Sequence, residues 1–324
     1  MSTAAAAEGG SRRLCVLVNP TAGGGRAARA LPAVEGALRG RGAHVRVART
    51  ESAAHGAELA AQAVSGGEEL VTLGGDGMVR LAAHAARGSD AIVSVLPGGR
   101  GNDFARSLGL PLDPVAACRV ALEGRVRTVD VGVLHALEGD LRDEAGGARD
   151  DAGAGTGGET FVGIASIGLE SEVTRIANNA PSFMGGSVYL LATLAGLARW
   201  RPASFALTLD EVPESFTGYM AAVANSGRFG GGMRLAPDAS LDDGLFDVVE
   251  LGAVSRLRFL ANTPKVFRGT HVGEDSVSVL RAREVRLDAE RPFDVYADGD
   301  AIGRTPAVAR VHPGALRVRV PAVA

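Results

Sequence analysis

Three short glycine-rich stretches constrain this chain more than any other feature. They are Asn19-Pro20-Thr21-Ala22-Gly23-Gly24-Gly25, Leu73-Gly74-Gly75-Asp76-Gly77 and Pro97-Gly98-Gly99-Arg100-Gly101-Asn102-Asp103. Each follows an apolar run. Residues 14–18, 45–48, 70–73 and 92–96 read as strands, and 26–38, 53–64 and 79–86 as helices between them. Pro32 is expected to bend or divide the first helix. Strands alternating with helices over short connections imply a parallel sheet covered on both faces. Ligands of such sheets sit outside the carboxyl ends of the strands, where these loops lie.

The texture changes near Asp130. A strand over 125–134 is followed by residues 138–159, rich in Gly, Asp and Ala and nearly free of large apolar side chains; a flexible insertion is expected there. Beyond it, 161–167, 204–209, 219–224, 246–251, 277–280, 284–287 and 293–297 read as strands joined mostly by turns, the mark of an antiparallel domain. Helical patterns cover 188–199 and 256–267. A last strand, 315–320, is expected to return to a sheet. With 324 residues, two domains are expected: an α/β unit over 13–132 and a β-rich unit over 133–305. Residues 306–324 would rejoin the first, and 1–12 would form a disordered N-terminus.

The loops suggest anion chemistry. Glycines let the backbone approach a bulky anion, and the amides of the next helix N-terminus point at it. A carboxylate such as Asp76 would repel a phosphate directly, so it makes sense beside one through a bridging divalent cation. The bland alternative, a tight turn with Asp76 capping the helix, stays open on this loop alone. Asn102 reads either as a cleft donor and acceptor or as a helix cap, and Asp103 as an i,i+3 partner of Arg106. Neither a Walker A loop nor a Rossmann fingerprint is present.

The net charge of −3, the 4% aromatic content and the lack of a basic run argue against nucleic acid as a partner. Cys15 and Cys118 read as buried free thiols, which fits a reducing compartment. No secretory signal is legible, and no apolar run reaches the ~18–20 residues that span a bilayer. A cytoplasmic location is expected, with contact at the membrane surface if the substrate is a lipid.

Taken together, Asn19-Pro20 with its trailing glycines, Gly74-Gly75-Asp76-Gly77 and Gly101-Asn102-Asp103-Phe104-Ala105-Arg106 stand in the order and spacing of the diacylglycerol kinase catalytic domain. Asn225 followed by Gly230-Gly231-Gly232-Met233, the acidic turn Leu241-Asp242-Asp243-Gly244-Leu245, and Asp298-Gly299-Asp300 resemble the family's later motifs. The resemblance extends to sphingosine and ceramide kinases. It implies an N-terminal α/β domain like that of NAD kinases and phosphofructokinases, a β-sandwich-like second domain, and an active site between them. It implies Mg²⁺-dependent transfer of the γ-phosphate of ATP to a lipid hydroxyl. By the same resemblance Asn19, Thr50, Gly74, Gly75, Asp76, Gly77, Arg100, Gly101 and Asn102 would hold the nucleotide. Asp243, with oxygens near Ser240 and Leu245 and with Asp130 in the network, would hold a structural Mg²⁺. Asp300 falls at the position of the general base, with Asp76 as the second catalytic carboxylate. On the residues alone, Thr50 equally caps the next helix, and the acidic turn reads first as a plain hairpin turn.

The chain departs from the family pattern at Met78, Arg80, Leu81, Arg100 and Asp300. Arg100 brings a guanidinium able to bind phosphate in place of lost hydroxyls. Two other readings remain: an impaired relative that binds nucleotide or lipid without turnover, and a kinase with a soluble acceptor. A helix within 183–197 is expected either to line an acyl-chain cleft or to be plain core, and Arg199, Arg201, Arg256, Arg258 and Arg268 either to meet anionic headgroups or to face water. A homodimer is left open.

Overall fold

Strand β1 (Arg13–Val18) divides its side chains between two cores. Cys15 and Leu17 join one cluster, and Leu14, Val16 and Val18 the other. A strand packed on both faces must be apolar throughout, which is why 14–18 reads as an unbroken hydrophobic run. The computed structural model describes residues 12–137, 157–178 and 187–322. Of the expected disordered N-terminus 1–12 and the insertion 138–159, residues 1–11 and 138–156 lie outside the described residues; Arg12 instead pairs with Glu69, and Glu159 begins a strand.

The first layer runs β1, α1 (Ala22–Arg39), β2 (His44–Arg49), α2 (Ala53–Ser65), β3 (Glu69–Gly74), α3 (Asp76–Ala86), β4 (Ile92–Pro97), α4 (Asp103–Ser107), α5 (Pro114–Glu123) and β5 (Arg125–Ala136). Strands β2, β1, β3 and β4 lie parallel in that order. The C-terminal part of the last strand, β15 (Ala307–Val320), then pairs parallel to β4, and β5 runs antiparallel beside β15. The helices cover the sheet through i, i+3, i+4 faces, such as Leu31, Val34 and Leu38 of α1 and Val79, Ala82, Ala83 and Ala86 of α3. Both thiols are buried, and burial pushes each up to about 11.

The second layer contains β6 (Glu159–Phe161), β7 (Ile164–Gly168), α6 (Leu169–Asn178), α7 (Ser187–Arg199), β8 (Ala203–Leu209), β9 (Val212–Ala224), β10 (Phe246–Gly252), α8 (Arg256–Arg268), β11 (Val277–Ala282), β12 (Glu284–Ala289), β13 (Asp294–Ala297) and β14 (Asp300–Arg304). Its described pairings are antiparallel, in the order β14-β13-β7-β9-β8-β12-β15, with β10 and β11 branching from β9 and β6 from β5. Its core includes Phe161 stacked on Phe246 and Phe205 on Phe293. The architecture is therefore an α/β domain with parallel strands and a β-sandwich-like second domain, as the sequence implied.

Strands β5 and β15 run through both layers. β15 bends at Pro313-Gly314, where its register with β5 shifts between His312 and Leu316. Gly314 has φ 61°, a left-handed conformation that glycine adopts without strain.

Three local expectations change. Helix α1 continues through Pro32, and only Gly23, Gly24 and Gly25 leave helical angles. Pro32 and Ala28 are both exposed, so water can meet the carbonyl that the proline leaves without a donor. The strand expected over 161–167 is two strands, because the amides of Val162 and Gly163 turn to the Asp298 carboxylate. Strand β14 and the first half of β15 were not foreseen. No helix among the described residues is long and apolar enough to cross a membrane.

Candidate active site

The three glycine loops meet at the carboxyl ends of β1, β3 and β4. Their fit is close enough to require glycine. A side-chain carbon added at Gly23 would lie 2.4 Å from the Gly98 carbonyl oxygen, and one at Gly99 would lie 2.3 Å from the Gly75 Cα. The Gly98 amide donates to the Gly74 carbonyl at 2.7 Å. Asn102, held left-handed at φ 54°, uses its amide on Gly99: Oδ1 accepts from the Gly99 nitrogen at 2.9 Å and Nδ2 donates to the Gly99 oxygen at 3.0 Å. It shapes the loop and does not cap α4.

Beside these loops lies an open cleft. Gly75, Asp76, Arg100 and Gly101 line it from the first layer, and Arg228, Gly231 and Asp298 from the second. Asp76 accepts the Phe104 amide on Oδ1 at 3.1 Å. Asp103 accepts the Gly231 amide on Oδ2 at 2.8 Å, which replaces the expected partner Arg106 and ties the two layers together. A side-chain carbon at Gly101 would lie 3.0 Å from both Asp76 Oδ2 and Asp103 Oδ2, so the two carboxylates converge there. Burial, then the Asp103 charge, pushes Asp76 up to about 6. Burial also raises Asp103, whose Oδ1 is buried without a hydrogen-bond partner.

Asp298, at φ 53°, closes the other side of the cleft. Burial raises it to about 7, the Asp76 charge adds to this, and its bonds to the Val162 and Gly163 amides oppose it. Two residues further on, Asp300 is half-exposed and rests against Gly77, where an added side-chain carbon would lie 2.9 Å from Asp300 Oδ2. Arg80, only 8% exposed, pairs with Asp300 Oδ2 at 3.2 Å and with Glu159 Oε2 at 2.8 Å.

The cleft adjoins a second, apolar chamber walled by residues such as Val173, Val249, Leu251, Phe259 and Val266. The two share Glu170, Thr174, Met220, Phe229, Gly230 and Leu235. Burial raises Glu170, and the Ser166 and Thr174 hydroxyls donate to it. The expected lining over 183–197 lies partly outside the described residues.

The other anticipated residues lie apart from the cleft lining. Asn19 Oδ1 accepts from the Thr21 amide and hydroxyl, at 3.0 and 2.8 Å. The buried Thr50 hydroxyl donates to Val18 O at 3.4 Å, and Ser52, not Thr50, caps α2. In the acidic turn each carboxylate already has protein donors. Asp243 takes the Leu245 amide at 3.1 Å and the Arg281 guanidinium, while Ser240 donates to Asp242 at 2.9 Å. Asp130 accepts the Gly244 and Gly314 amides at 2.7 and 2.8 Å. No group of three or more His, Cys, Asp or Glu able to hold a metal occurs among the described residues. The expected Mg²⁺ set of Asp243, Ser240, Leu245 and Asp130 brings only two carboxylates, and both already have protein donors here. Arginine and backbone amides occupy the carboxylates instead.

Asp103, Arg80, Arg228 and Glu170 are site residues that sequence reasoning assigned no such place. Arg80 carried a signal as a departure inside a recognisable motif, and Asp103 stood inside the Gly101–Arg106 motif.

Residues 13–134 match the diacylglycerol kinase catalytic domain family, and residues 163–320 match the YegS C-terminal NAD kinase beta sandwich-like domain. A diacylglycerol kinase of Mycobacterium tuberculosis is 34% identical over 314 residues, covering 95% of each chain. A protein named "Probable lipid kinase YegS-like" from Pseudomonas fluorescens is 33% identical over 293 residues, 88% of each chain. A crystal structure of a diacylglycerol kinase from Bacillus anthracis superposes with a TM-score of 0.69 at 18% identity, covering 97% of this chain and 98% of that one, which supports the fold. With both domains matched in order and relatives aligned along nearly its whole length, the chain belongs to the diacylglycerol kinase-like lipid kinase family.

Proposed function

We propose that the protein transfers the γ-phosphate of ATP to the hydroxyl of diacylglycerol or a related lipid alcohol, with Mg²⁺. The observation that carries this reading is the shared wall between the polar, carboxylate-lined cleft and the apolar chamber. A phosphoryl donor needs the first and an acyl chain the second. A soluble acceptor would have no use for an apolar chamber opening onto the cleft.

The glycine loops and the amides at the start of α3 bind the phosphates. Arg100 and Arg228, both on the cleft, offer guanidinium groups to the same anion. Asp76 and Asp103 fit a divalent cation: they converge, the Asp103 charge helps raise Asp76, and one Asp103 oxygen is buried without a partner. Two carboxylates plus substrate phosphates are a usual Mg²⁺ set. Bound there, the ion would neutralise charge on the transferring group. Asp300 orients the acceptor hydroxyl and takes its proton.

Helix α8 supports contact with a membrane surface. None of its residues is buried, Leu257 is 81% exposed and Phe267 53% exposed, and it carries Arg256, Arg258, Lys265 and Arg268. Its inner side, with Phe259 and Val266, walls the apolar chamber. An exposed helix mixing apolar and basic side chains suits an anionic interface, at about 1 kcal/mol per basic residue near the surface.

The test is ATP consumption with Mg²⁺, with and without mixed micelles of diacylglycerol, sphingosine or ceramide. Lipid-dependent turnover that is lost in Asp76→Asn is expected. ATP binding without lipid-dependent turnover would replace this reading with that of an impaired relative or a soluble acceptor.

A further inference from the structure

Arg80 lies one helical turn beyond Asp76 on α3 and is 8% exposed. A guanidinium that deep needs partners, and two carboxylates from the other layer supply them: Glu159 Oε2 at 2.8 Å and Asp300 Oδ2 at 3.2 Å. The two contacts are unequal in setting. Glu159 lies on β6, with its side chain 19% exposed, whereas the Asp300 side chain is 49% exposed and follows directly on Asp298 and Gly299 of the cleft wall. The same Asp300 oxygen faces Gly77, where no side chain intervenes. Nearby, His84 of α3 meets the buried Thr160 hydroxyl at 3.1 Å, a second clip between α3 and β6.

We infer that Arg80 is a positioning residue, which Glu159 anchors and which in turn fixes the carboxylate of Asp300 toward the acceptor hydroxyl. An aspartate has a short side chain, and a half-exposed one is free to turn toward water unless something holds it. The guanidinium fork holds both ends in one geometry, Nη1 on Glu159 and Nη2 on Asp300. Arg80 lines neither the cleft nor the apolar chamber, so its contribution lies in the placement of the proton-accepting oxygen. The inference rests on the phosphoryl-transfer reading above.

The test measures kcat and both KM values for Arg80→Gln, Arg80→Lys, Glu159→Gln and the Arg80→Gln/Glu159→Gln pair, in the full chain with Mg-ATP and lipid micelles. Arg80→Gln should lower kcat on the order of 10–100-fold, the scale of a roughly 1 Å misplacement, with the KM for ATP unchanged. Arg80→Lys, which keeps the charge but not the fork, should recover part of the loss. Glu159→Gln should lower kcat less, and should cost nothing further once Arg80 is gone. Full kcat in Arg80→Gln, or independent multiplicative losses in the pair, would overturn the inference. If the wild-type protein shows no lipid-dependent turnover, the kinase reading has failed by itself. The pairing is then judged by melting temperatures of Arg80→Gln, Asp300→Asn and the double variant. Non-additivity on the order of 1 °C sustains it, and strict additivity sinks it.

Discussion

Asp298 Oδ1 accepts the backbone amide of Gly163 at 2.8 Å, joining the loop before β14 to the break between β6 and β7. That carboxylate is raised from 3.8 to about 7, by burial first. The folded protein therefore holds this proton more tightly than the unfolded chain. The resulting stability is fully present below about pH 4 and is lost as pH rises through about 7. Asp298→Asn removes the titration. Its melting temperature relative to wild type should rise between pH 5 and pH 8; a difference independent of pH would contradict the assignment.

Asp76, raised to about 6, should couple nucleotide binding to protons. Binding of Mg-ATP needs the carboxylate ionised, so affinity should fall as pH drops below about 6, with about half a proton released by this group near that pH and close to one about a pH unit lower. Calorimetry in two buffers of different ionisation enthalpy measures the proton count. In Asp76→Asn that proton should vanish along with most of the affinity.

Gly99→Ala tests the contact between loops. The new carbon would sit 2.3 Å from the Gly75 Cα, and backbone cannot move aside as a flexible side chain does. A loss of about 1–3 kcal/mol in unfolding free energy and a sharp loss of ATP binding are expected. Gly36→Ala, within α1, serves as the control, since nothing lies within 4 Å of its added carbon.

Asp130 binds two backbone amides from separate segments, and its own carbonyl accepts from Asn225 at 3.1 Å. Asp130→Ala strands buried donors and should cost roughly 3 kcal/mol or more by denaturant titration. Chelation of divalent ions should leave the wild-type melting temperature unchanged, because Arg281 and backbone amides already meet the carboxylates of this region. A drop on adding EDTA would restore the case for a structural ion at the acidic turn.

The first layer was legible because its signals are local. Apolar runs such as 14–18 are buried on both faces, and each glycine loop follows one. The second layer was less legible where long-range partners decide local geometry. Nothing near Val162 announces that its amide serves Asp298, 136 positions away. The same holds at the site. Asp76 was visible inside its motif, whereas Asp103 looked like a helix residue pairing with Arg106, and its ligand Gly231 lies 128 positions on. Arg80 looked like damage to a motif and proved to be buried between two carboxylates. At the acidic turn, where the family resemblance implied a cation site, nothing in the sequence signalled that Arg281 would meet Asp243.

The passage of β15 between β4 and β5 has a consequence for biosynthesis. Arg317 and Val318 fill the gap between Ile92–Pro97 and Arg125–Ala136, so the parallel sheet lacks an interior strand until that segment has left the ribosome. The nucleotide loops are translated early, yet the sheet beneath them closes late. A nascent chain halted before residue 307 should expose the β4 edge and depend on chaperones, whereas release of the full chain should bring both layers to completion in one cooperative step.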